Sequence, residues 1–160
     1  MYAIHSYTLG VKSHRVKRLP PGLALAWGIA PAPRRGPKPT RSVQEIVGAA
    51  IQLADAQGIA AASLPKVARR VGLTTNALYR YVGSKDELLL LLNDAGWGPP
   101  PEAALRARTW RKGAMAWAHA VSDGYRNRPW LLDIPIRSAP MTPYVLHWLE
   151  VFLEAWPPLA

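Results

Sequence analysis

Apolar residues recur every three or four positions in several stretches of the chain, and this spacing predicts an all-α protein. The first clear stretch follows Ser42, where Glu45 three residues later completes a capping box. Gly58 is expected to end this helix, because glycine adopts a left-handed backbone at little cost. The apolar face that should pack into a core consists of Val43, Ile46, Val47, Ala50, Ile51 and Ala54.

Two short helices joined by a tight turn are predicted next, over residues 63–82. Ser63 is expected to cap the first helix, which runs over residues 64–71 and stops at Gly72. Thr74 is expected to cap the second helix, which runs to about Val82. This length and punctuation are typical of a helix-turn-helix.

The second of these helices has two chemically different faces. At about 100° per residue, Thr75, Asn76, Tyr79 and Arg80 fall on one side, and Leu78 falls on the other. A hydroxyl, an amide, a phenol and a guanidinium are groups that can meet base edges and phosphates in a major groove. An ordinary solvated helix face is the alternative interpretation of the same pattern.

A further helix is predicted after Ser84, which is placed to form a second capping box with Glu87. The five consecutive leucines at residues 88–92 make this helix apolar on every side, so more than one of its faces should be covered. Lys85 lies in the first turn, where the backbone amides favour a phosphate. Residues 96–101, rich in glycine and proline, are expected to form a linker.

Two more helices are predicted beyond this linker. The first carries aromatic residues at helical spacing between Trp110 and Tyr125, and a short turn follows at residues 129–132. Thr142 is expected to cap the second, which starts at Pro143. Aromatic side chains on the two helices predict either an aromatic core or a mostly apolar ligand pocket between them. The four residues proposed for the pocket are Trp117, Tyr125, Trp148 and Phe152.

The distribution of charge indicates a polyanionic partner. The formal net charge is +10, and residues 1–41 hold eight basic side chains and no acidic one. Nucleic acid is the first partner that such a charge suggests, and an anionic membrane surface is the second. The chain has no cysteine, which excludes disulfides and thiolate metal sites. It also has no run of about eighteen apolar residues that would predict a spanning helix.

Residues 1–40 are predicted to be a disordered basic arm, since they lack periodicity and are rich in proline. Basic side chains on a proline-stiffened backbone suit a narrow groove lined by phosphates. The side chains concerned are Arg34, Arg35, Lys38 and Arg41. Basic residues before the apolar run at 23–30 also have the outline of a secretory signal, and read-through of upstream sequence is a third possibility.

Residues 42–92 resemble the DNA-binding domain of TetR-type (TetR/AcrR) transcriptional regulators. The likeness is carried by Ala-Asp-Ala-Gln-Gly-Ile, Ser-Leu-Pro-Lys-Val-Ala-Arg-Arg-Val-Gly-Leu, Ala-Leu-Tyr-Arg-Tyr-Val and Ser-Lys-Asp-Glu-Leu-Leu. The resemblance implies a three-helix DNA-binding domain over residues 41–95, with its helix-turn-helix at about 63–82. It also implies a helical regulatory and dimerisation domain over residues 102–160, shorter than is usual in the family.

The resemblance further implies a ligand-responsive repressor that binds double-stranded DNA, works in the bacterial cytoplasm and forms a homodimer. Thr75 and Asn76 are expected to touch bases, whereas Tyr79, Tyr81 and Lys85 match phosphate-contacting positions. The predicted DNA-binding residues are Arg34, Arg35, Lys38, Arg41, Ser63, Lys66, Thr74, Thr75, Asn76, Tyr79, Arg80, Tyr81 and Lys85. A small apolar or aromatic effector is a candidate ligand; no cofactor, metal ion or membrane partner is expected.

Two other functions stay open at this stage. A shortened carboxy-terminal domain is compatible with a non-regulatory interaction protein that pairs with a full-length relative, and dimerisation of this chain is then in doubt. A small enzyme is the other alternative, but neither a nucleophile–base constellation nor a glycine-rich phosphate loop is found. His119 and Asp123 share a helix face, and only His147 is near enough in sequence to join them at a metal.

Overall fold

The computed structural model describes residues 19–29, 40–101, 109–135 and 141–154. These residues form seven α-helices and two 3-10 turns and contain no strand, which confirms the predicted all-α class. The α-helices are α1 (Pro21–Ala26), α2 (Val43–Gln57), α3 (Leu64–Arg70), α4 (Thr75–Leu78), α5 (Lys85–Trp97), α6 (Trp110–Asn127) and α7 (Pro143–Glu154). The 3-10 turns are Ile59–Ala61 and Pro129–Asp133.

Helix α2 begins and ends where the sequence predicted. The hydroxyl of Ser42 accepts a hydrogen bond from the Glu45 amide at 3.1 Å, and the Glu45 carboxylate accepts one from the Ser42 amide at 2.6 Å. The Glu45 carboxylate also accepts from the Ser42 hydroxyl, and the two bonds that the carboxylate accepts from Ser42, with a smaller effect of the Arg41 guanidinium, lower the pKa of Glu45. Gly58 ends the helix with a φ of 79°, a value that favours glycine.

The core lies between helices α2 to α5 and continues into the Pro129–Asp133 turn. Its fully buried large side chains in this region are Ile46, Val67, Leu78, Val82, Leu88 and Leu92. Trp130 and Leu131 are buried in the same cluster. Apolar packing therefore joins the predicted domains 41–95 and 102–160, and each large side chain buried there contributes about 1.5–3 kcal/mol. The domain boundaries themselves stay a prediction.

Helix α5 runs further than the sequence predicted. The expected linker at residues 96–101 starts only at Gly98, which ends the helix with a φ of 60°. Gly96 stays helical and buried. A Cβ at this position would lie 2.7 Å from the ring of Trp130 and 2.9 Å from Leu131. Gly96 is thus explained by the close approach of the Pro129–Asp133 turn and does not break the helix.

Helix α1 lies within the amino-terminal segment that the sequence predicted to be disordered. It packs along α5 so closely that a Cβ on Gly22 would come within 2.8 Å of the Glu87 side chain. The indole of Trp27, just after the helix, donates a hydrogen bond of 2.8 Å to the carbonyl oxygen of Met141. The prediction of disorder is wrong for residues 19–29, because α5 covers their short apolar run.

The start of helix α7 is capped from another helix. Thr142, the predicted cap, is fully buried, but its hydroxyl makes no capping hydrogen bond. The carboxylate of Asp94 on α5 accepts instead from the amides of Tyr144 at 2.8 Å and Val145 at 3.4 Å. Burial raises the pKa of Asp94 above its ordinary value, and the hydrogen bonds that it accepts partly oppose this shift.

None of the helices within the described residues has the length and apolar character needed to cross a membrane.

Candidate nucleic-acid interface

The helix-turn-helix consists of α3, a turn at residues 71–74, and α4. Helix α3 ends at Arg70, one residue earlier than predicted, and Gly72 makes the turn with a φ of 72°. Leu78 of α4 is fully buried against the core. The second helix is therefore fixed by a buried anchor on one side, and its other side is left for solvent.

Helix α4 is shorter than the sequence predicted, ending at Leu78 and not at about Val82. The chain after Leu78 tightens, because the Arg80 amide bonds to the carbonyl of Ala77 at 3.2 Å and the Tyr81 amide to that of Leu78 at 2.9 Å. Hydrogen bonds between residues three positions apart are typical of a 3-10 turn, and they continue the turn of the chain beyond the end of α4.

The two predicted helix caps have different outcomes. The hydroxyl of Thr74 accepts from the Ala77 amide at 3.2 Å, so this cap is confirmed. Ser63 makes no side-chain capping bond, and that prediction is wrong. Pro65 lies in the first turn of α3. It has no N–H to donate to a capping side chain, and its fixed φ already suits a helix.

The side chains that the helical wheel placed on one face lie on α4 (Thr75 and Asn76) and in the turn just after it (Tyr79 and Arg80). Asn76 and Arg80 are exposed, Tyr79 is 47% exposed, and Thr75 is half-buried. Because Leu78 is buried on the opposite side, the predicted division into two faces is found. The exposed groups include both hydrogen-bond donors and acceptors, as reading of base edges requires.

Lys85 is exposed at the first position of α5, beside the end of the helix-turn-helix. Only half of the predicted capping box forms at this helix: the hydroxyl of Ser84 accepts from the Glu87 amide at 3.1 Å. The Glu87 carboxylate accepts from the amide of Gly83 at 2.7 Å, one residue before the position that the box requires. Glu87 thereby fixes the turn that leads from α4 to α5.

Helix α3 presents a basic surface, and Lys66 is the one residue of this surface that the sequence predicted to bind DNA. Lys66, Arg69 and Arg70 are exposed and surround a shallow depression against α2. Arg70 is held there by hydrogen bonds of 3.1 and 3.3 Å to the side-chain oxygen of Gln52. The signal for Arg69 and Arg70 was available in the sequence, since both lie opposite the buried positions of α3.

Two residues predicted to contact DNA hold the chain in place where it enters α2. The hydroxyl of Tyr81 accepts from the amides of Thr40 at 3.1 Å and Arg41 at 3.4 Å. Arg41 donates through Nε to the carbonyl of Val71 at 2.9 Å, and its guanidinium lies 3.6 Å from Glu45. Both side chains therefore have a structural role, and their contact with DNA stays a prediction. Arg34, Arg35 and Lys38 lie outside the described residues.

The four residues of the predicted ligand pocket lie in one aromatic cluster. The ring of Trp117 is 4.9 Å from that of Phe152 and 6.4 Å from that of Trp148. Trp97, which the sequence analysis did not include, lies 4.9 Å from Tyr125 and 5.4 Å from Trp148. The rings thus pack on one another, as an aromatic core does.

An open groove runs beside this cluster, along the small residues Ala116, Ala120 and Gly124 of α6. Of the four residues predicted to line a pocket, only Trp148 lines this groove. A ligand pocket formed by all four stays a prediction.

The histidines and carboxylates of the carboxy-terminal helices do not converge. Within the part of the chain that the structure describes, no group of three or more potential ligands is placed to hold a metal ion. Asp123 pairs instead with Arg126 at 2.9 Å on the surface of α6.

Helix α3, the turn at Gly72 and the capped helix α4, which is anchored in the core by Leu78, define this chain as a helix-turn-helix protein. Residues 46–92 match the family model of the bacterial regulatory proteins of the tetR family. Residues 46–92 therefore belong to that family, and the resemblance found in the sequence of this segment is confirmed.

Two relatives of known class illustrate how far the likeness extends. The chain is 37% identical over 138 residues to the HTH-type transcriptional repressor DrrR1 of Streptomyces coeruleorubidus, covering 86% of this chain and 51% of DrrR1. It is 37% identical over 94 residues to the HTH-type transcriptional regulator Rv1816 of Mycobacterium tuberculosis, covering 55% of this chain and 37% of Rv1816. The chain thus spans about half or less of the length of these relatives.

Solved structures share the fold. Apo ActR from Streptomyces coelicolor has a TM-score of 0.65 at 22% identity, over 75% of this chain and 57% of ActR. ActR in complex with (S)-DNPA has a TM-score of 0.60 at 25% identity, over 69% of this chain and 55% of ActR. The likeness extends beyond residues 46–92 and so includes part of the carboxy-terminal helices.

Proposed function

We propose that this chain is a sequence-specific DNA-binding transcriptional regulator of the repressor type, which reads duplex DNA with helix α4. The observation that carries the proposal is the exposed surface of α4 and of the turn that directly follows it, where Asn76, Tyr79 and Arg80 are exposed and Leu78 is buried. The names of the relatives, which are transcriptional repressors and regulators, support the same function.

In this proposal α4 enters the major groove. Thr75 and Asn76, near its amino end, meet base edges, while Tyr79 and Lys85 contact phosphates on either side. The basic segment before α2 adds sequence-independent attraction to the backbone, so affinity should fall as salt rises. A regulator of this kind acts on the chromosome, which is in the cytoplasm of a bacterium.

Reading a two-fold operator needs two such helices about one turn of DNA apart, and the proposal therefore includes a homodimer. It also includes a small apolar or aromatic effector that binds among the carboxy-terminal helices. The ligand-bound state of ActR, a structural neighbour, supports this part, as do the aromatic cluster and the adjacent groove. No cofactor is required.

The test is selection of duplexes from a random-sequence pool by the purified chain, followed by fluorescence anisotropy on the selected duplex. The wild-type chain should enrich one motif and bind it more tightly than a scrambled duplex. Asn76→Ala should weaken binding of that motif by about 1–3 kcal/mol and relax the preference at one position. Asn127→Ala, an exposed amide on α6, is the matched control and should change neither. Enrichment of no motif would contradict sequence-specific binding.

A further inference from the structure

The carboxylate of Asp55 at the end of helix α2 accepts a hydrogen bond from the Pro129–Asp133 turn, whose apolar side chains also pack in the core. Nε1 of Trp130 donates a hydrogen bond of 2.7 Å to Oδ1 of Asp55. The side chain of Trp130 is only 3% exposed, so its indole N–H depends on this acceptor. A buried donor left without a partner is costly, and the contact is therefore directional as well as attractive.

Arg128 extends the contact to a third helix. Its Nε lies 3.4 Å from the same Oδ1 of Asp55, and its NH1 donates a hydrogen bond of 2.7 Å to the carbonyl oxygen of Gly96. That carbonyl is in the last turn of α5, where the helix dipole favours a cation. A half-exposed ion pair alone contributes little, but here the buried ring of Trp130 fixes its geometry.

The position of Asp55 in α2 links the Pro129–Asp133 turn to the start of the helix-turn-helix. Asp55 lies in the last turn of the helix, and α2 leads through the Ile59–Ala61 turn into α3 and α4. The direction of the end of α2 therefore sets where the helix-turn-helix begins. A displacement of the Pro129–Asp133 turn would reach the end of α2 directly through Asp55, in addition to the contacts of the turn with Gly96 of α5.

We propose that Asp55 is a positioning residue for DNA reading: through Trp130 and Arg128 it holds the end of α2, and hence α3 and α4, at a fixed angle to the carboxy-terminal helices. This role rests on the proposed DNA-binding function. It also makes Asp55 the point at which a change among those helices is passed to the DNA-reading helices. Asp55 itself touches no DNA.

The contact is tested first without DNA, by native-state hydrogen exchange of the whole chain. The amides of Leu131 in the turn, of Ile134 just after it and of the end of α2 should open as one unit in the wild type. Asp55→Ala should separate them, whereas Asp55→Asn keeps an oxygen acceptor for Trp130 and should preserve most of the coupling. Asp123→Ala, which breaks the surface pair with Arg126, is the control matched to Asp55→Ala and should leave the unit intact. Separate opening in the wild type would overturn the proposal.

The role in reading DNA is tested with the duplex selected by the wild-type chain, well below the unfolding temperature of each variant. Asp55→Ala should bind it roughly tenfold more weakly, within the range typical of coupled sites. The salt slope should stay unchanged, because no phosphate contact is lost. Trp130→Phe replaces the indole by a smaller aromatic ring that has no donor, and it provides a second variant with the same expected effect if Asp55→Ala does not fold.

If the turn affects DNA binding, DNA binding must affect the turn to the same extent, and a merely structural contact would not show this. Duplex binding should slow exchange in the Pro129–Asp133 turn of the wild type, and this slowing should be lost in Asp55→Ala that is saturated with DNA. Unchanged exchange of the turn on duplex binding by the wild type would overturn the positioning role while leaving the proposed function intact. Failure of every duplex to bind the wild type would refute the proposed function and this role together.

Discussion

Gly124 of helix α6 lies directly beneath the indole of Trp97 at the end of α5, and a Cβ at Gly124 would come within 2.7 Å of the Trp97 ring. The same indole makes edge contacts with Tyr125 and Trp148. The absence of a side chain at one position therefore sets the separation of α5 and α6 around the whole aromatic cluster.

Alanine at Gly124 should destabilise the protein even though alanine is the better helix former. Overpacking against the Trp97 ring is expected to cost about 1–3 kcal/mol in the free energy of unfolding, measured with urea. Gly48→Ala in α2 is the matched control, because nothing lies within 4 Å of its added Cβ. That control should stabilise by up to about 1 kcal/mol. Effects of the same sign at both sites would contradict the close contact at Trp97.

Asp94 should be replaceable by asparagine but not by alanine. The side-chain oxygen of Asp94→Asn can still accept from the Tyr144 and Val145 amides, so the cap of α7 is kept. Asp94→Ala loses that cap, which typically costs about 0.5–2 kcal/mol. Thermal unfolding should therefore place Asp94→Ala below Asp94→Asn. Equal midpoints for the two variants would show that the cap contributes nothing.

The free energy of unfolding of the wild type, relative to that of Asp94→Asn, should depend on pH with a defined sign. The pKa of Asp94 is higher in the folded chain than in the unfolded chain, so the folded state binds the proton more tightly. The wild type should consequently lose free energy of unfolding as pH rises from about 4 through the folded pKa, relative to Asp94→Asn, which does not titrate. Urea midpoints measured for both proteins from pH 4 to 7 give the difference. A difference that does not change with pH would contradict the raised pKa.

What the sequence predicted correctly depends on residues close together in the chain. The capping box of Ser42 with Glu45, the stop at Gly58 and the Thr74 cap each involve partners within a few positions, so pattern alone is enough. The buried and exposed sides of α4 follow from helical periodicity in the same way. The motif that carries the family resemblance is also continuous in sequence.

What the sequence did not predict depends on distant partners. Gly96 was expected to break α5, and it is helical because Trp130 packs against it. Thr142 was expected to cap α7, a role taken by Asp94 from a different helix. The fold of residues 19–29 likewise depends on covering by α5. No local pattern carries these contacts, because each arises only when the helices have packed.

Helix α1 should contribute to the free energy of unfolding of the protein. A chain lacking residues 1–29 should lose roughly 1–3 kcal/mol in the free energy of unfolding, because the packing on α5 and the hydrogen bond from Trp27 are lost. A chain lacking residues 1–18 keeps both and serves as the control. Thermal unfolding of the two truncations makes the comparison, and identical midpoints would mean that α1 does not dock in solution.

Tyr81→Phe should loosen the entry into α2 while the ring stays packed. Loss of the hydroxyl that accepts from Thr40 and Arg41 is expected to cost about 0.5–1.5 kcal/mol and to speed exchange of those two amides. Tyr79→Phe is the control, because Tyr79 is an exposed tyrosine just after α4, and amide exchange at Thr40 and Arg41 should be unaffected. Unchanged exchange in Tyr81→Phe would refute the structural role assigned to its hydroxyl.

Lys85 should contribute to affinity for DNA without contributing to specificity. It is exposed at the amino end of α5, beside the turn that Glu87 holds. In the proposed function this position faces a phosphate next to the groove that α4 enters. Lys85→Ala should weaken the selected and the scrambled duplex alike and lower the slope of log affinity against log salt by about one. Lys112 is an exposed lysine of α6, outside the helix-turn-helix. Lys112→Ala removes a charge of the same sign and is expected to leave the salt slope unchanged. If Lys85→Ala weakens the selected duplex alone, Lys85 reads bases and the phosphate assignment is wrong.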